Sequence, residues 1–106
     1  MEKEEKQVLS GQVSKEQIAT WKKQHRDVFG IISGDKICYL KVPDRLTLQA
    51  VNEFPEDEGM RSNEVLLENC WLGGDVEIKT GDAYFYDVIP VLGDILKFGR
   101  AEIKKL

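Results

Sequence analysis

The chain has 106 residues, 42% of them hydrophobic and 32% charged, with a net charge of -4 at pH 7. A chain of this length holds a single core with no room for a second, and its composition is that of a folding domain rather than a disordered one. The acidic balance opposes the phosphate neutralisation on which nucleic-acid binding rests, and no apolar run approaches the ~20 residues that would cross a bilayer.

Residues 1–12 are charged and then polar, with only Val8 and Leu9 to anchor them. They read as a flexible N-terminal arm, loose until it meets the domain or a partner, and residues 13–106 read as a single α+β domain. The start "MEKEEK" lacks the apolar core of a secretory signal, and Cys38 and Cys70 form no CxxC pair. These features lead to the expectation of a cytoplasmic protein with both cysteines as small core residues. In "VSKEQI", Ser14 can cap a helix with Gln17 as its reciprocal partner, while Val13 and Ile18 stand where a hydrophobic staple packs. Ile18, Trp21 and His25 follow at helical spacing with lysines around them. Lys15, Lys22, Lys23 and Arg26 make a local basic patch that a solvated helix face accounts for.

From Asp27 the period changes. "VFGIIS" and "KICYLKV" are rich in β-branched and aromatic residues and are separated by Gly34-Asp35, a turn with glycine first, as a type II′ hairpin needs. The implied register sets Ile31 opposite Cys38, Phe29 opposite Leu40, Gly30 opposite Tyr39 and Ile32 opposite Ile37. One face then carries Phe29, Ile31, Cys38 and Leu40 and belongs to the core. The other carries Val28, Ile32, Ile37 and Tyr39, too apolar for a solvated face, so either the first helix with the arm or another chain covers it. With only each other to pair with, the two strands would leave both outer edges open to a partner strand.

The next helix starts at the cap Asp44 and stops before Pro55, with Leu46, Ala50 and Phe54 on one face and Leu48 and Val51 widening it. Glu56 to Gly59 reads as an acidic loop without the alternating ligands of a calcium site. A third helix is expected from about Ser62 to Leu72, burying Leu66, Leu67, Cys70 and Trp71, with Gly73 or Gly74 as the left-handed residue that ends it. The last begins near Thr80 or Asp82 and places Phe85, Val88, Ile89, Leu92, Ile95 and Leu96 on one stripe. Pro90 lies off that stripe and should bend the helix, and Phe98 and Ile103 could extend the contact unless Gly99 interrupts it. The expected architecture is α+β: an N-terminal helix, a two-stranded antiparallel hairpin, then two or three helices packed on one face.

No serine elbow, HExxH pair or Walker glycine loop occurs, and the acids are scattered over polar stretches. No catalytic, cofactor-binding or metal-ligating residue is therefore assigned, and the chain is not expected to be an enzyme. His25 suits the C-terminal end of a helix dipole. Trp21 and Trp71 sit at core spacing, and "GIISG" falls in a strand, where a GxxxG spelling has no membrane meaning. The residues expected to touch a protein partner are Val28, Ile32, Ile37 and Tyr39.

The order of "SKEQIATWKKQH", a hairpin ending in "CYLKVPDR", a short helix and "NEVLLENCWLGGD" resembles small phage or prophage proteins of the tail assembly chaperone type, over Val13 to Asp75. In such proteins a strand ending in aromatic-x-Lys/Arg-x-Pro-x-Arg leads into helices, and a later helix ends in a cysteine-bearing segment before a glycine or acidic turn. The resemblance implies a non-enzymatic protein from a phage structural-gene cluster that binds a tail protein or a virion neighbour, in the host cytoplasm or carried into the virion. It supplies no contact residues. The alternative from another class is a small regulatory protein that binds a host protein, its acidic surface at Glu53 to Glu58 imitating a negatively charged ligand. No nucleic-acid or membrane partner is expected, and self-association through the hairpin edge remains open.

Overall fold

A computed structural model describes residues 8–25, 27–95 and 102–106. The fold is α+β. In chain order it has α1 (Lys15–Gln24), β1 (Val28–Ser33), β2 (Lys36–Lys41), α2 (Arg45–Asn52), a 3-10 turn (Glu56–Glu58), α3 (Gly59–Cys70), β3 (Trp71–Gly74), α4 (Glu77–Thr80) and α5 (Asp82–Ile95). The strands form one antiparallel sheet in the order β1-β2-β3.

Local chemistry starts α1 and the hairpin as expected. The Ser14 hydroxyl accepts the Gln17 N–H at 3.1 Å and begins α1. Gly34 has φ 62°, the positive value that a primed turn needs at its first position, and the register follows: Ile31 pairs with Cys38, Phe29 with Leu40, Gly30 with Tyr39 and Ile32 with Ile37. Ile31, Cys38 and Leu40 meet Leu66, Leu67 and Cys70 of α3, Ile78 of α4 and Phe85, Val88, Leu92 and Ile95 of α5 in one buried cluster. The stripe of α5 thus buries as its spacing requires, and Pro90 lies inside the helix on its exposed side. Leu96, Phe98 and Gly99 lie outside the described residues; Ile103 is fully exposed and adds nothing to the core.

Three expectations are corrected. First, α2 turns a shifted face inward: Val51 packs on the core as expected, but the buried residue is Thr47, while Leu46 is 75% exposed. The Asp44 carboxylate accepts the Thr47 N–H at 2.8 Å, and α2 ends at Asn52, so a stripe drawn through to Phe54 overran the helix. Second, the acidic stretch is no open loop: Glu56–Glu58 form a 3-10 turn that runs straight into α3 at Gly59. Three carboxylates ahead of a helix N-terminus complement its dipole. Ser62 then reaches back, its hydroxyl donating to the Val51 carbonyl at 3.2 Å near the end of α2.

Third, α3 stops at Cys70 and "WLGG" is a strand. Trp71 is already extended (φ -65°, ψ 126°), and Gly73 and Gly74 lie beside Tyr39 and Cys38 of β2. Gly74 has φ 127°, and a Cβ there would stand 2.5 Å from the Cys38 Cα and 2.6 Å from the Ile37 carbonyl oxygen. Glycine is needed here for close approach of two backbones, and the helix has stopped without it. The described part of the arm meets the domain. Ser10 pairs with Lys36 as a parallel bridge, its N–H donating to Asp35 and its carbonyl accepting from Ile37, both at 2.9 Å. Residues 1–7 of the arm lie outside the described residues.

Candidate protein-binding edge

The second face of the hairpin is divided. Tyr39 is only 5% exposed because Trp21 of α1 lies over it, ring centroids 5.5 Å apart, and the Val13 N–H donates to its hydroxyl at 3.3 Å. Trp21 continues over Gly73, where a Cβ would come within 3.0 Å of the indole. Trp21 therefore caps the β2–β3 half of the face, which removes Tyr39 as a contact residue. Ile37 and Val28 are half-buried, and Ile32 is 60% exposed. Of the four residues that the sequence singles out, only Ile32 is broadly open to a partner.

The edges are divided as well. In a hairpin closed by a two-residue turn, the flanking pair Ser33 and Lys36 exchange hydrogen bonds, and every second pair beyond does the same. Val28, Gly30 and Ile32 thus direct their N–H and C=O groups away from β2. The same alternation sends the groups of Ile37 toward the third lane of the sheet. There its N–H donates to Ser10 and its carbonyl accepts the Asp75 N–H at 3.1 Å. The outer edge of β2 is therefore occupied by β3 and by Ser10, which corrects the expectation of two open edges. Among the described residues no strand lies beyond β1. "VFGIIS" has no charged residue and no proline, the usual guards of an exposed edge. Gly30, exposed at the middle of β1, leaves a shallow place where another backbone can approach.

A polar cluster holds the opposite lane. Lys36 reaches Asp75 at 3.2 Å and Glu77 at 3.0 Å and lies 5.1 Å from the Tyr84 ring centroid, while the Ser10 hydroxyl donates to Asp75. Asp75 also accepts the Glu77 N–H at 2.9 Å, at the head of α4. The Glu77 and Asp75 carboxylates hold the Lys36 ammonium above its usual range. The Ser10 hydroxyl, the Glu77 N–H and Lys36 together hold Asp75 below the usual carboxylate range. Sequence reasoning missed this cluster, in which Ser10 and Asp75 meet from 65 positions apart; its local trace is a glycine next to each of Ser10 and Asp75.

Among the described residues, no group of three His, Cys, Asp or Glu side chains is placed to hold a metal ion. Burial pushes the Cys38 thiol up to about 12 and the Cys70 thiol up to about 11, so neither is a nucleophile near neutrality. His25 is the C-cap of α1, its backbone N–H donating to the Trp21 carbonyl at 2.9 Å. No helix among the described residues is long and apolar enough to cross a membrane. Against protein-family models, curated proteins and solved structures, the chain finds no match.

Proposed function

We propose that this chain is a non-enzymatic protein-binding accessory that takes a strand of its partner along the outer edge of β1. The observation that carries the reading is that edge: outward backbone groups at Val28, Gly30 and Ile32, an exposed isoleucine, and no charge or proline to guard it. Main-chain hydrogen bonds would supply affinity, and the Ile32 side chain would supply contact on the uncovered half of the second face. The resemblance of Val13 to Asp75 to tail assembly chaperones makes a phage tail or virion protein the proposed partner. Binding would take place in the host cytoplasm.

The test is co-expression with the tail and tape-measure proteins of the same gene neighbourhood, using the full chain, Ile32→Lys and Gly30→Pro. The Gly30 N–H makes no bond within the sheet, so proline there removes an edge donor without breaking the hairpin. Capture by the parent chain that both variants lose, at unchanged melting temperature, supports the reading. Equal capture by all three refutes the edge, and no capture of any tail protein refutes the tail assignment.

A second reading is a regulator that binds a host protein through acidic mimicry. It is favoured by the exposed carboxylates of Glu53, Glu56 and Asp57, which stand together ahead of α3. It predicts partner capture that weakens steeply between low and physiological salt and that survives Ile32→Lys.

A further inference from the structure

Away from the hairpin, α3 and the start of α5 enclose a shallow groove. Its first part, about 210 Å³, is lined by Met60 and Glu64 of α3 and by Asp82, Phe85 and Tyr86 of α5. Its second, about 300 Å³, continues past Glu64 and Phe85 to Leu67, Glu68 and Lys79. The floor is apolar, since Phe85 and Leu67 belong to the core, and Met60 (43% exposed) and Tyr86 (64% exposed) form apolar walls. From Met60 to Glu68 the groove runs roughly 12 Å along α3, at about 1.5 Å per residue.

The rim is negative. Lys79 is engaged, 3.5 Å from Glu68 and over the Trp71 ring at 4.5 Å, so those two charges offset each other. Arg61 is drawn to Glu58 and the Phe54 ring. Glu64 and Asp82 are exposed and have no ion-pair partner among the described residues.

The complement is in the same chain. In residues 102–106, Ile103 is 99% exposed and Leu106 fully exposed, on either side of Lys104 and Lys105. In an extended three-per-turn backbone, residues three apart share a side, at about 3.1 Å per residue. Ile103 and Leu106 would then lie roughly 9 Å apart on one side, within the length of the groove, with the two ammonium groups free to reach its rim. The tail does not lie in its own groove, because both apolar side chains are in solvent.

We infer that the acid-rimmed groove between α3 and α5 binds the Ile103–Leu106 segment of a second copy of this chain. Ile103 and Leu106 fill the apolar floor, and Lys104 and Lys105 face Glu64 and Asp82. The contact is heterologous, groove to tail, so it builds rings or linear arrays rather than an isologous pair. It is independent of the β1 edge.

The test combines light scattering of the full chain over a concentration series with anisotropy of a labelled Glu102–Leu106 peptide. The expected result is a mass that rises with concentration and falls to that of a monomer in Leu106→Ser. Peptide binding should weaken about tenfold in Glu64→Gln/Asp82→Asn, substitutions at exposed positions that leave the fold intact by circular dichroism, and should weaken again in high salt. Ile32→Lys, which disables the β1 edge, should change none of these readings. A monomer at every concentration overturns the inference. So does self-association that survives both Leu106→Ser and the double variant, or peptide binding that ignores the two carboxylates.

Discussion

Replacing Gly74 by alanine should remove a large share of the stability of this protein. The added Cβ would stand 2.5 Å from the Cys38 Cα, 2.6 Å from the Ile37 oxygen and 2.9 Å from the Cys38 Cβ. None of these atoms is the end of a flexible side chain, so β3 must move away from β2. Holding a non-glycine residue at φ 127° costs roughly 1–2 kcal/mol. Breaking the bond between the Asp75 N–H and the Ile37 carbonyl, with the adjoining β2–β3 contacts, costs about 1–2 kcal/mol more. The sum, about 3 kcal/mol, is roughly a fifth to three fifths of a typical domain stability and lowers Tm by roughly 12–24 °C. Two other glycines calibrate it. At Gly73 the Cβ meets the edge of the Trp21 indole at 3.0 Å, a side chain that can tilt, so alanine there costs about 1 kcal/mol or less. At Gly93, inside α5 with open space around it, alanine should stabilise by about 0.5–1 kcal/mol. Urea unfolding followed by circular dichroism measures all three. If Gly74→Ala is no more destabilising than Gly73→Ala, the close approach of β2 and β3 is wrong.

Three further outcomes follow from the packing and the charges. Leu92→Ala, at a fully buried position, should cost about 2–5 kcal/mol, whereas Leu46→Ala should change stability by less than about 0.5 kcal/mol; a cost at Leu46 equal to that at Leu92 would restore the sequence-based face of α2. Both thiols should resist iodoacetamide at pH 8 in the native protein and react promptly in denaturant, and native labelling at the rate of an exposed cysteine would contradict their burial. Asp75 is held below its ordinary value of 3.8, so its contribution is present above that pH and lost as pH falls through its lower folded value. Lys36 is held above its ordinary 10.5, so its contribution is complete below that pH and lost as pH rises through its higher folded value. Lys36→Met should therefore flatten the alkaline limb of a Tm–pH profile above about pH 10.5 and shallow the acid limb below about pH 4; a profile parallel to that of the parent would show that the cluster does not couple to folding.

What the sequence determined by itself lies in short-range rules. Ser14 and Gln17 start a helix, Gly34 forms a primed turn and so decides the hairpin register, and the spacing of Phe85, Val88, Leu92 and Ile95 defines a buried stripe. Each depends on atoms a few residues apart, where hydrogen-bond geometry and helical period leave little choice. Val28, Ile32, Ile37 and Tyr39 could be recognised as an apolar face on the same grounds. Which of them is open could not, because Trp21 reaches Tyr39 from 18 positions away and Ser10 reaches the Ile37 backbone from 27.

The short strand β3 shows the limit most clearly. Leu66, Leu67, Cys70 and Trp71 fit the inner face of a helix, and two glycines fit its stop, so local preference continues the helix past Cys70. The tertiary structure decides otherwise because the free lane beside β2 offers backbone partners to an extended segment, and at Gly74 the approach to Cys38 and Ile37 leaves no space for a Cβ. The same two residues that read as punctuation thus close one edge of the sheet and leave β1 as the edge without a strand beyond it among the described residues. Helix starts and turns are settled by neighbours along the chain, whereas strand partners and the covering of faces are settled by segments that meet only when the chain folds.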